Sequence, residues 1–163
     1  MERLLARDLA DAPTKYEVSS AGVGALVGEP MEPQAAAQLQ ALGGDPEGFV
    51  ARQLEPALVE EADLVLTATE RIRQRVLHES PRALRRTFTV REFAMLVADE
   101  AGGAPETFEA LVADAARRRG RTAGADLDVP DPMGRAVAVH ERAAAMAAEA
   151  VATIATALRR VSG

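Results

Sequence analysis

Residues 126–135 read Asp-Leu-Asp-Val-Pro-Asp-Pro-Met-Gly-Arg, which sets three carboxylates, Asp126, Asp128 and Asp131, in one short stretch. Closely spaced carboxylates favour the protonated form of one another, and a carboxyl that holds its proton can donate it. Taken alone, Asp131-Pro132 marks no more than a turn. The rest of the chain narrows what chemistry such a loop could join. There is no cysteine, so there is no thiolate, disulfide, Cys-based metal site or redox relay. Ser19 and Ser20 have no neighbouring base to activate them. His78 and His140 stand alone, without the spaced acidic partners of a metal site or hydrolytic triad. Gly22-x-Gly24 lacks the remainder of a phosphate-loop pattern.

The elements that must position these residues alternate short β-type runs with helical stretches, as in an α/β fold with a parallel sheet. Met1 to Leu9 reads as a helix fragment, and Tyr16 to Ser20 as a short strand ending at Ala21-Gly22. Helices are expected over Glu32 to Leu42, closed by Gly43-Gly44, and over Glu55 to Ala62 and Glu70 to His78. Phe49 to Leu54 is a short extended stretch. Asp63 to Ala68 is the clearest strand, continuous and apolar, as when both faces are covered. Thr87 to Val90 is a third strand, followed by a helical turn from Arg91 to Ala98. The segment from Glu100 to Ala125 is loop-like at both ends, with a helix from about Glu106 to Arg118. The longest helix runs from about Ala136 to Val161, with Val139, Ala143, Met146, Ala147, Ala150, Val151, Ile154, Leu158 and Val161 on one face. Met146 on that stripe is a core residue.

Composition sets the outer bounds. One domain over residues 1–163, 48% apolar, is long enough to bury a core. With aromatics at 3%, no Trp and one Tyr, that core is built from Leu, Val and Ala. A formal net charge of −6 argues against nucleic acid or an anionic membrane as partner. Arg117, Arg118, Arg119 and Arg121 are read against that charge as a solvated loop or helix end. No apolar run approaches the roughly 18 residues of a bilayer span and no signal peptide opens the chain, so a cytoplasmic location is expected.

Several segments, in order, are similar to the low-molecular-weight protein tyrosine phosphatases. Met1-Glu2-Arg3-Leu4-Leu5 resembles the stretch after that family's Cys-x5-Arg-Ser-Pro loop. Ser19-Ser20-Ala21-Gly22 resembles the segment after its second strand, Gly28 to Pro33 its second-helix entry, and Ala51-Arg52-Gln53-Leu54 a family signature. Asp63 to Thr67 matches the third strand, and Asp131-Pro132 the general acid with its proline. The resemblance implies a three-layer α-β-α fold with a parallel sheet, phosphotyrosine phosphatase I-like. It implies hydrolysis of a phosphomonoester by a thiolate, with backbone N–H groups and an Arg cradling the phosphoryl oxygens.

In that scheme Asp131 is the general acid, Ser20 helps hold the nucleophile loop, and Met133 lies where many relatives carry an aromatic against the substrate ring. The substitution by Met puts a preference for phosphotyrosine in doubt. Phe49, Arg71 and Arg91 are further residues that could approach the site, although packing or surface charge is the simpler role for each. No cofactor or metal is implied, and the expected partner is a phosphorylated protein or small phosphomonoester.

The family's first, central strand and its Cys-x5-Arg loop have no counterpart in these residues. The expectation is therefore a chain truncated relative to the family, with Met1 just inside the first helix, and inactive as written. Three readings follow. The first is a phosphatase whose start was chosen too late, which predicts a Cys-x5-Arg stretch in frame upstream. The second is a non-catalytic phosphatase-like binding or regulatory module. The third is a scaffold whose open sheet slot takes a strand from a partner, giving a strand-completing oligomer.

Overall fold

The computed structural model describes residues 1–99 and 105–161. Two strands, β1 (Val65–Thr67) and β2 (Thr87–Thr89), pair in parallel with Val65 opposite Thr87, Leu66 opposite Phe88 and Thr67 opposite Thr89. Helices α1 (Glu2–Asp8), α2 (Pro33–Ala41) and α3 (Pro56–Glu61) precede the sheet. Between the strands lie α4 (Glu70–Glu79) and a 3-10 turn at Pro81–Arg86. After them come α5 (Val90–Ala98), α6 (Phe108–Arg118), a second 3-10 turn at Arg119–Thr122, and α7 (Val137–Leu158).

The helices start where side chains can take up unpaired backbone N–H groups. The Thr69 hydroxyl accepts from Ile72 N at 3.1 Å to open α4, and Thr107 accepts from Ala110 N at 3.2 Å to open α6. Glu32 accepts from Ala35 N at 2.7 Å ahead of Pro33, which suits the first turn of α2. In α5 the arrangement is reciprocal: Thr89 accepts from Glu92 N at 3.0 Å, while Glu92 accepts from Thr89 N at 3.3 Å.

The core lies between β2, α5, α6 and the apolar stripe of α7. Phe88, Phe93 and Ile154 are completely buried there, and Met146 packs against them from the α7 stripe. Phe88 and Phe93 meet at 5.1 Å between ring centroids. A smaller cluster of Leu4, Leu39 and Val151 seals α1 and α2 onto α7, and Val59, Val76 and Ala83 close the far side of the sheet.

The strand expected at Tyr16–Ser20 does not form. Burial alternates as in a strand, with Tyr16 and Val18 turned toward the core and Lys15, Glu17 and Ser19 outward. A strand is defined by its ladder, however, and among the described residues no neighbour pairs with this segment. Tyr16 Oη donates instead to Leu158 O at 2.8 Å, and Arg52 Nε to Ser20 O at 2.6 Å. Pairing resumes only as an isolated parallel bridge between Gly22 and Gln53, inside the stretch expected to be extended. The expectations for residues 100–104 lie outside the described residues. Among the described residues no helix is long and apolar enough to cross a membrane.

Candidate active site

Parallel strands β1 and β2 end side by side, and their helices α4 and α5 begin there. In open α/β sheets this carboxyl end is where ligands bind. The loop carrying Asp131 is fixed to that end by residues just before it. Leu127 and Val129 are buried and anchor the loop, and Val129 N donates to Ala68 O, one residue past β1, at 2.8 Å. Glu70 N, in the first turn of α4, donates to Asp128 Oδ1 at 2.7 Å. Arg91, in the first turn of α5, reaches the loop from the other side. Its Nη1 lies 3.3 Å from Asp126 Oδ2 and donates to Asp128 O at 3.3 Å.

Beyond these anchors the loop turns out to solvent. Asp131 is exposed, and its Oδ1 accepts from Met133 N at 3.0 Å. The turn closes through Arg135 N to Pro132 O at 2.9 Å, with Gly134 at φ 68, where a side chain would be strained. Met133 is 56% exposed. Asp128 and Asp126 are engaged by α4 and α5 and hold the loop in place.

Ser20 is bonded to α1 and to Arg52, not to this loop. Its hydroxyl hydrogen-bonds the Glu2 carboxylate at the start of α1, and Arg52 fixes its carbonyl. The same arginine's carbonyl accepts from Gly22 N at 3.0 Å, so Arg52 ties the 20–22 segment to the 51–54 segment. Arg71 is exposed in the first turn of α4, and Phe49 is half-buried at a turn made by Phe49 N donating to Pro46 O at 3.2 Å. Of the three residues expected to approach the site, only Arg91 has a bond to the Asp131 loop.

Two features escaped the sequence reading. Glu92 is 1% exposed, and its carboxylate lies 2.7 Å from Arg73 Nη1 and 3.0 Å from Arg119 Nε. The Arg119 approach is a charge contact, because Nε lacks the alignment of a hydrogen bond. Arg119 also donates to Thr87 O at 2.7 Å and covers the Phe88 ring at 4.3 Å. Burial pulls its guanidinium below the usual arginine range, and Glu92 opposes that pull. The expectation of a solvated Arg117–Arg121 cluster thus fails for two members. Arg118 is folded back onto Asp114 and Asp99, and Arg119 is drawn into the interior by Glu92. The local signal was Thr89-x-x-Glu92, a capping box that points Glu92 back to the start of α5 and leaves its burial to the elements packed around it.

The second feature is His140, on α7. It is 3% exposed, with Nδ1 3.8 Å from Glu32 Oε2 and no hydrogen bond on that nitrogen. The Glu32 carboxyl is held below the usual carboxylate range, first by the backbone N–H groups of Ala35 and Gln34 and less by His140. The pair joins the start of α2 to α7. Among the described residues no three His, Asp or Glu side chains converge as a metal site would require.

Residues 1–115 match the family described as low molecular weight phosphotyrosine protein phosphatase. That match stops short of the Asp131 loop. Solved structures similar to this one extend over nearly the whole chain. Wzb of Vibrio vulnificus, in complex with benzylphosphonate, superposes with a TM-score of 0.68 at 22% identity, covering 95% of this chain and 86% of that one. The tyrosine phosphatase Wzb of Escherichia coli K30, in complex with sulphate, gives 0.70 at 19% identity, covering 95% and 85%. The YwlE arginine phosphatase of Geobacillus stearothermophilus gives 0.69 at 22% identity, covering 95% and 80%. At these identities the likeness is one of fold. No curated protein sequence matches significantly.

Proposed function

This chain belongs to the low molecular weight phosphotyrosine protein phosphatase family, and from that premise we propose that it supplies the proton-donating part of a phosphatase site. In this reading Asp131 carries the acid. As the bond from phosphorus to the leaving oxygen breaks, the Asp131 carboxyl passes its proton to that oxygen, and phosphorus is transferred to a thiolate. The 163 residues contain no thiol. Alone, they therefore do not turn over substrate by this route, and Ser20, bound to Glu2, is no substitute nucleophile.

The observation that carries the reading is the loop itself. Asp131 stands exposed at the carboxyl end of β1, on a loop held by Ala68, Glu70 and Arg91. The substrate class we assign is a phosphorylated protein or a small phosphomonoester. An exposed Met133 presents a pliable apolar contact in place of a rigid ring, which suits leaving groups beyond a flat phenol. The fold is shared with an arginine phosphatase as well as with tyrosine phosphatases, so phosphoarginine belongs in the same assay.

The test compares p-nitrophenyl phosphate hydrolysis by the 163-residue chain with that of a form carrying a Cys-x5-Arg strand-and-loop segment before Met1. Turnover only in the extended form, abolished on removing its Cys and reduced about 10²–10⁴-fold by Asp131→Asn, supports the reading. Turnover in neither form refutes it. A second reading, a non-catalytic module that binds phosphorylated partners, rests on the lack of any thiol. It predicts saturable binding of a phosphopeptide by the 163-residue chain, with no turnover in either form.

A further inference from the structure

We infer that Arg91 is a positioning residue for Asp131, closing a latch between α5 and the acid loop. The inference rests on the acid role proposed above for Asp131. Among the described residues, Arg91 is the only side chain of α5 that bonds into this loop, and it makes two contacts there from one nitrogen. Nη1 lies 3.3 Å from the Asp126 carboxylate and 3.3 Å from the Asp128 carbonyl. Those residues flank Leu127, whose buried side chain anchors the loop, so the guanidinium grips both sides of the anchor.

The grip has a rigid base. Arg91 lies in the first turn of α5, inside the Thr89–Glu92 capping box, and Glu92 is buried between Arg73 and Arg119. The base is therefore fixed to α4 by Arg73 and to β2 by Arg119, which donates to Thr87 O. Opposite Arg91, Asp128 Oδ1 receives Glu70 N, and Val129 N reaches Ala68 O. The loop is clamped between the starts of α4 and α5, and Asp131 projects two residues beyond the last clamp.

The latch is the part of this clamp open to solvent. The Arg91 side chain is 29% exposed and Asp126 is 72% exposed, whereas Leu127 and Val129 are buried. Ions can screen the Arg91 contact while leaving the apolar anchors untouched. Opening the latch frees the loop around Leu127 and Val129 without unfolding the domain, and Asp131 loses its fixed place. Lysine at this position keeps the charge but lacks the planar fork, so it restores the grip only in part.

Amide hydrogen exchange on the 163-residue chain tests the latch without catalysis. Arg91→Met should speed exchange at Val129 N–H and Glu70 N–H about fivefold, as expected for losing a partly exposed charged contact. Arg91→Lys should fall between, and amides of the α7 core such as Ile154 should not change. Unaltered exchange at Val129 and Glu70 in Arg91→Met overturns the inference, as does an equal acceleration at Ile154. In the form extended with a Cys-x5-Arg segment, Arg91→Met should reduce turnover of phenyl phosphate more than that of p-nitrophenyl phosphate, because the poorer leaving group depends more on the acid. Equal losses on both substrates would also count against it. Should the extended form show no turnover at all, the proposed function falls, and the exchange result still decides the latch.

Discussion

Replacing Glu92 by Gln preserves shape and removes one buried negative charge, and the cost can be worked from its surroundings. The carboxylate is 1% exposed and contacts Arg73 at 2.7 Å and Arg119 at 3.0 Å. Removing one partner of a buried ion pair costs about 3–5 kcal/mol, mostly because the other charge is left uncompensated. Two guanidiniums are stranded here, but their side chains keep 19% and 24% exposure, so water recovers part of the loss. The capping bond from Thr89 N survives, since a Gln oxygen can still accept it. The lower end of the range, about 3 kcal/mol, is therefore expected. For a domain of this size that lowers Tm by roughly 6–12 °C. Urea unfolding followed by far-ultraviolet circular dichroism measures the change, provided the slope with denaturant stays constant. Adding Arg73→Met should recover part of the loss, because one stranded cation is gone. A loss below about 1 kcal/mol would refute the reasoning, as it would mean that water solvates the cluster as at a surface pair.

Two further outcomes follow from positions described by packing and by charge. A Cβ on Gly44 would lie 2.3 Å from Leu39 Cδ1 and 2.9 Å from Leu39 Cγ, so Gly44→Ala must displace a buried leucine; thermal unfolding should show a loss of about 1–3 kcal/mol, and an unchanged Tm would mean that Leu39 simply rotates aside. The Glu32 carboxyl is held low in the folded state, so its stabilisation is complete above its unfolded value and is lost as pH falls through the lowered folded value. Glu32→Gln should accordingly flatten the decline of stability below about pH 4.5 while removing some stability at neutral pH, and an unchanged acid limb in pH-dependent urea unfolding would count against the cap.

The sequence carried most of the helices because their signals are local. Thr69 before Glu70, Pro33 after Glu32 and the Gly43-Gly44 pair mark ends that lie within about two residues of those expected. The apolar run Asp63–Ala68 likewise gave β1, trimmed to its paired residues. Pairing was not legible at Tyr16–Ser20, where the alternation is strand-like but no ladder partner is present among the described residues. The two 3-10 turns were also missed, as their sequences, Pro81–Arg86 and Arg119–Thr122, look like helix ends. At the candidate site, Asp131-Pro132 could be placed on a turn by its residue types, while a role for Asp131 came from the resemblance alone. The roles of Asp126 and Asp128 could not, because a carboxylate's partner is chosen by tertiary approach. The burial of Glu92, Arg119 and His140 is non-local in the same way: each depends on which distant element packs over it.

The extended segment before Ser20 depends on the last helix for its fixed position. Thr14 Oγ1 donates to Val161 O at 3.3 Å, Tyr16 Oη to Leu158 O at 2.8 Å, and Arg159 Nε to Asp8 O at 2.7 Å. These bonds join residues separated by 142 to 151 positions. During synthesis, the acceptors and donors at the end of α7 are added roughly 7–30 s after Tyr16, at about 5–20 residues per second. Through that interval α1 and the Tyr16 segment lack these partners on the nascent chain. These bonds can form only once the end of α7 has been made.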